Sequence, residues 1–168
     1  LEIEGFEADD LIATYVKLAE KDKIETIIVS SDKDLMQLVS NNVTMLDPMK
    51  NKKIEIKDVE EKFGVKPDKV IFIQALTGDK VDNIPGAPGI GPKTASQLIN
   101  EFDDIEGLLK NIDKIKQEKR RNILTDAEKD IRLSLELVTL KNDVKVADSI
   151  KNIKTYNELK NENNNIFK

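Results

Sequence analysis

Ala8, Leu11, Ile12, Tyr15 and the Leu18/Ala19 pair recur at helical spacing, which predicts an amphipathic helix over roughly residues 7–21. Ile24 to Val29 is short, β-branched and apolar between polar flanks, the pattern of a buried strand. A short helix over Leu35–Val39, a second strand over Val43–Leu46 ending at Asp47-Pro48, and a short edge strand over Ile54–Ile56 follow. This alternation argues for an α/β sheet that is mostly parallel. Two or three strands leave such a sheet incomplete. From about residue 57 the pattern turns helical, over 57–63, 67–76, 94–102, 105–112 and 125–140, with short Gly/Pro turns between. The tail from Lys151, with its Asn161–Asn165 run, is poor in apolar residues and predicted to fray. The expected division is an α/β part over 1–57, a helical unit over 58–145 and a partly disordered tail over 146–168. There is no internal repeat.

Composition narrows the chemistry sharply. The 168 residues carry 27 Lys plus Arg against 32 Asp plus Glu, a formal charge of −5, with 39% hydrophobic and 35% charged residues. Cys, His and Trp are absent. Disulfides, Cys/His zinc sites, thiol nucleophiles and His-dependent triads are therefore excluded within these residues. No apolar run approaches the ~20 residues of a membrane-spanning helix, no signal peptide opens the chain, and no membrane partner is expected. Because it starts at Leu1 beside an acidic cluster, the chain reads as a fragment of a longer protein. Any chemistry must run on carboxylates, lysines, hydroxyls or a hard ion held by oxygen.

Three acidic groups are candidates: Glu7, Asp9 and Asp10; Asp32 and Asp34; Asp79 and Asp82. Each has an ordinary reading. Acids in a first helical turn complement the helix dipole, Asp32 could cap the helix beginning near Asp34, and Asp79 and Asp82 could be turn residues after Gly78. Position favours a shared role. Asp32 and Asp34 lie just past the carboxyl end of a strand, where open α/β sheets hold ligands. Glu7 with Asp10, and Asp79 with Asp82, are spaced i, i+3. Carboxylates gathered without cations repel one another, and oxygen-rich shells suit Mg2+ or Mn2+. Two such ions ~4 Å apart can activate a water and stabilise the leaving oxygen of a phosphodiester.

The stretch Gly86-Ala-Pro-Gly89-Ile-Gly91-Pro-Lys93-Thr94-Ala95 is the most unusual in the chain. Gly86 and Gly91 have the spacing of a phosphate-binding P-loop, but Pro92 stands where its Lys must follow and no strand precedes. The dinucleotide fingerprint fails too, since its third glycine falls on Thr94. What remains is a Gly-x-Gly hairpin between two helices, the second opening at Pro92, a favoured first helical position. Exposed amides at Gly89, Gly91 and the helix start can meet a phosphate oxygen, with Lys93 as counter-charge; the alternative is a plain interhelical turn. Lys110 to Arg121 holds six basic and two acidic residues. On an acidic chain this is a candidate phosphate-facing strip or a solvated helix face. With 4% aromatics, base-stacking platforms are not expected.

Glu7-Ala-Asp-Asp10, Ser31-Asp-Lys-Asp34, Leu76-Thr-Gly-Asp-Lys-Val-Asp-Asn83 and Ile84 to Ala95 occur in this order. Together they closely resemble the structure-specific 5′ nuclease (flap endonuclease) family, above all its branch forming the 5′–3′ exonuclease domain of bacterial DNA polymerase I. The likeness covers about residues 1–145. It implies the second half of a PIN-like α/β domain followed by a helical unit with a helix–three-turn–helix. Carried over, Glu7, Asp9, Asp10, Asp32, Asp34, Asp79 and Asp82 match the metal-site carboxylates, with Asp9, Asp10, Asp32, Asp34 and Asp82 implied as catalytic. Gly86, Gly89, Ile90, Gly91, Lys93 and Thr94, with Lys119, Arg120 and Arg121, are the implied DNA contacts.

The resemblance implies two Mg2+ or Mn2+ ions, and K+ held by hairpin carbonyls. The implied reaction is hydrolysis of DNA phosphodiesters at 5′ ends, flaps or nicks, as in primer removal and repair. Further implications are a polymerase domain in the parent chain and a cytoplasmic, nucleoid-associated site in a bacterium, an organelle being left open. The family's upstream strands, basic residues and helical arch have no counterpart in the 168 residues. The isolated chain is thus expected to bind DNA weakly and cleave slowly or not at all. A non-catalytic duplex-binding module is the alternative. A small-molecule phosphatase ranks last for want of a loop to hold a small phosphate.

Overall fold

The computed structural model describes residues 1–146, so the expected tail beyond them lies outside the described residues. Helix α1 (Ala8–Lys21) opens on a capping box in which Glu7 and Asp10 each accept the other's backbone amide, and it ends near Lys21. It buries Leu11, Ala13, Thr14, Val16 and Ala19. Strand β1 (Thr26–Val29) pairs in parallel with β2 (Val43–Asp47), Thr26 opposite Val43 and Val29 opposite Leu46. A 3₁₀ helix, Asp34–Leu38, makes the crossover. Strand β3 (Lys52–Ile54) runs antiparallel on the far side of β2, giving a mixed sheet ordered β1-β2-β3.

Two strand expectations need correction. β1 is not buried: Ile27 and Val29 are each 64% exposed, because alternate strand residues face opposite sides and Ile28 alone turns to the core. The third strand lies over residues 52–54 rather than 54–56. Glu55 leaves the strand to cap α2 (Ile56–Phe63), its amide donating to Asp58 Oδ2 at 2.9 Å in a second capping box. Capping outcompetes strand pairing there.

A 3₁₀ turn, Pro67–Lys69, leads into α3 (Val70–Thr77). Helices α4 (Pro92–Phe102), α5 (Ile105–Lys110), α6 (Glu118–Asp126) and α7 (Glu128–Val138) complete the unit. The helix expected over 125–140 is α7, shorter at both ends, and α6 is a helix not expected from the pattern; Ala127 (φ −90°, ψ 6°) turns the chain between them. The turn lets Leu124 and Ile131, both fully buried, enter the same core.

Two hydrophobic clusters organise the molecule. One gathers Ile28, Leu35, Val43, Met45 and Ile54 with Val59 and Val70; the other gathers Ile73, Leu76, Ile90, Leu98, Ile99, Leu108, Leu124 and Ile131. Helix α3 serves both, Val70 in the first and Ile73 and Leu76 in the second. The segment after α7 returns to α1: the Lys141 amide donates to Asp10 Oδ1 (2.8 Å), and the Val144 amide to Thr14 Oγ1 (3.2 Å).

Candidate metal centre and nucleic-acid interface

A cavity of about 790 Å³ lies where the start of α1, the β1 crossover, α3 and the loop after it converge. Its walls carry Glu7, Asp9, Asp32, Asp34, Asp79 and Asp82, six of the seven expected carboxylates. Asp32 Oδ1 accepts the Asp34 amide at 2.9 Å, and the Asp32 amide donates to Ser30 Oγ at 3.0 Å, so the crossover is wound into a tight turn. Asp47 secures the turn's base: its Oδ1 accepts from Ser31 Oγ (2.7 Å) and the Met49 (3.0 Å) and Lys50 (3.2 Å) amides.

Asp79 and Asp82 sit on a loop closed by paired backbone bonds between Asp79 and Ile84 (3.0 and 2.7 Å). Gly78 and Gly86 face each other at its neck, both at positive φ. A Cβ on Gly86 would stand 2.4 Å from the Gly78 nitrogen. Only glycine permits that approach.

Asp10 is the seventh, and the structure gives it other work. Its carboxylate accepts the Glu7 amide (3.3 Å) and the Lys141 amide (2.8 Å), and it does not line the cavity. It caps α1 and anchors the returning segment.

The electrostatics fit a cation-seeking pocket. Burial pushes the Asp9 carboxyl above its usual range, and Asp32 and Asp34 push it further. Asp34 is raised by burial and then by Asp32, with Asp82 adding to it. Lys33 reverses the sign locally: ion-paired with Asp79, it holds that carboxyl low while its own pKa rises. Lys62 also lines the cavity, and burial lowers its pKa. Among the described residues no group of three carboxylates is close enough together to hold a metal ion as it stands. The donors themselves, oxygen only, suit a hard divalent ion. On the same wall Gln74 is buried, its Oε1 without a hydrogen-bond partner among the described residues.

Sequence reasoning missed Lys33, Lys62 and Gln74. Lys33 was in plain view inside Ser31-Asp-Lys-Asp34, and Gln74 is the one amide in an otherwise apolar helix start. Nothing local marked Lys62.

The same cavity runs up to Ile90, Gly91 and Pro92, so hairpin and carboxylates adjoin. Of the expected DNA contacts, Gly89, Gly91 and Lys93 are exposed, and the first turn of α4 leaves the Lys93 and Thr94 amides without helical acceptors. A second concavity, about 170 Å³, is lined by Gly89, Ile90, Thr94, Lys119 and Arg120, which joins the hairpin to the basic strip. Three expectations change. Gly86 is buried and its amide donates to Ser134 Oγ (2.9 Å). Ile90 is a core residue whose amide donates to Ala87 O (3.0 Å). Arg121 turns inward, donating to Ile115 O at 2.6 Å.

Comparison with known proteins finds matches to both parts of the chain. Residues 1–64 match the model of the 5′-3′ exonuclease N-terminal resolvase-like domain, and residues 65–162 that of the 5′-3′ exonuclease C-terminal SAM fold. DNA polymerase I of Rhizobium leguminosarum is 58% identical over 144 residues, covering 86% of this chain and 14% of that protein. The 5′-3′ exonuclease of Aquifex aeolicus is 40% identical over 154 residues, covering 92% of this chain and 52% of that protein.

Among solved structures, a bacteriophage T5 flap endonuclease pseudo-enzyme–product complex with DNA and metal ions superposes with a TM-score of 0.74. It is 28% identical, with 84% of this chain and 52% of that one covered. T5 5′-exonuclease with divalent zinc bound gives 0.77 at the same identity, with the same shares of the two chains covered. The chain thus spans about half the length of the exonucleases it matches, and far less of the polymerase. Both halves match in order, and the chain belongs to the 5′-3′ exonuclease family.

Proposed function

We propose that this chain contributes part of a metal-dependent 5′–3′ exonuclease or flap endonuclease centre, together with the element that grips duplex DNA by its backbone. The observation that carries the reading is the shared cavity: carboxylates from three separate stretches of sequence line it, and the exposed hairpin adjoins it. Asp9, Asp32, Asp34 and Asp82, with Glu7 and with Asp79 once released from Lys33, would hold one or two Mg2+ or Mn2+ ions. When bound, such ions supply an activated water and charge to stabilise the leaving oxygen of a phosphodiester.

The protein's own part is positional. The crossover turn presents Asp32 and Asp34, and the glycine neck holds Asp79 and Asp82 opposite. Gly89, Gly91, Lys93 and Thr94, with Lys119 and Arg120, would hold the phosphates of a 5′-ended, nicked or flapped duplex irrespective of sequence, with K+ on hairpin carbonyls. The relatives named DNA polymerase I support a parent chain that continues into a polymerase. With about half of an exonuclease's length present, slow or undetectable cleavage is the expected behaviour of the chain alone.

A metal titration tests the reading. Adding Mn2+ or Mg2+ should raise the Tm, since a ligand held only by the folded state stabilises it by ~2.7 kcal/mol at a hundred times its Kd. Asp32→Ala or Asp82→Ala should shrink that rise. A Tm indifferent to metal in wild type would leave only the duplex-binding module.

A further inference from the structure

Helix α3 presents an almost wholly apolar start, Val70-Ile-Phe-Ile, and then Gln74. Gln74 is only 9% exposed and lines the carboxylate cavity. Its Nε2 donates to Asp34 Oδ1, while its Oε1 is buried with no partner among the described residues. The orientation of the amide follows from chemistry: turned the other way, its oxygen would face the acceptor-only carboxylate. An unpaired buried amide oxygen is unfavourable, and folded proteins supply such groups with a protein or water donor. Its neighbours Ile73, Ala75 and Leu76 are buried and apolar, so packing alone gives no reason for an amide.

We propose that Gln74 is a positioning residue for the metal centre: its Nε2 fixes the Asp34 carboxylate on the cavity wall. This rests on the metal-site reading above. Groups that ligate metals are characteristically held from behind by a hydrogen-bond partner. A neutral amide suits that place, because it orients Asp34 without competing with the cation as Lys33 does at Asp79.

The test compares Mn2+ binding by calorimetry with metal-free Tm for the wild-type chain, Gln74→Met and Gln74→Asn. Methionine fills the same space without polar atoms, so the metal-free Tm should hold or rise while the Mn2+ Kd increases ~10-fold or more. Asparagine stays polar but is one methylene too short to reach Asp34, and the same weakening is expected. An Mn2+ affinity unchanged in both folded variants overturns the positioning role, whatever their Tm, and leaves the metal site standing. Failure of the wild-type chain to bind Mn2+ overturns the metal-site reading and this inference with it.

Discussion

Asp47 shows how one side chain outside the carboxylate cavity holds the turn that bears Asp32 and Asp34. It ends β2, accepts two amides of the following turn and the Ser31 hydroxyl, and ion-pairs with Lys50 at 3.4 Å. The Ser31 hydrogen bond, chiefly, holds its carboxyl below the usual 3.8. A depressed acid contributes stability that is complete above its unfolded pKa and lost as pH falls through the folded one. Asp47→Asn, which keeps the shape and loses the charge, should therefore lower Tm at neutral pH. The gap between variant and wild type should close as pH falls from about 5 through the lowered folded-state pKa. Asp9 and Asp34, both raised, run the other way in both proteins and cancel in the difference. A gap independent of pH, read by circular dichroism melts, would remove the charge from the account.

At the scale of elements, the carboxylate loop depends on helix α7, which contributes no carboxylate to it. Ser134, fully buried on α7, accepts the Gly86 amide at the neck of the loop bearing Asp79 and Asp82. Ser134→Ala would leave that amide unpaired inside the protein, at a cost of about 1–3 kcal/mol. Urea unfolding should show the loss, and the metal-induced rise in Tm should shrink with it. A stability within 0.5 kcal/mol of wild type, the usual scatter of surface substitutions, would mean the neck closes without Ser134. This bond joins residues 48 apart and leaves no local trace, whereas the acidic motifs beside it were legible because their spacing is short. The same division holds elsewhere. Glu55 and Asp58 spell a cap in sequence once the strand is not forced through them, and the exposure of Ile27 and Val29 depends on what covers their face of β1, which β-branched runs do not reveal.

For the molecule as a whole, the proposed DNA contact raises the question of how a chain of net charge −5 would hold a polyanion. Its charges are sorted. Six carboxylates turn into one cavity, while Lys93, Lys119 and Arg120 stand with the hairpin amides on the neighbouring surface. Sequence foretold both groups but not their adjacency, which Ile90 and Gly91 create by bordering the cavity while Ile90 also lines the basic concavity. Counter-ion release then makes a sharp distinction between two cations. If Lys93 neutralises a phosphate, Lys93→Ala should weaken binding to unrelated duplexes alike and reduce the slope of log K against log salt by about one. Arg121 carries the same charge but serves the Ile115 and Lys116 carbonyls, so Arg121→Ala should lower Tm and leave that slope nearly intact. Fluorescence anisotropy on two duplexes over ~50–200 mM salt separates them; equal slopes for Lys93→Ala and wild type would take the hairpin lysine out of the interface.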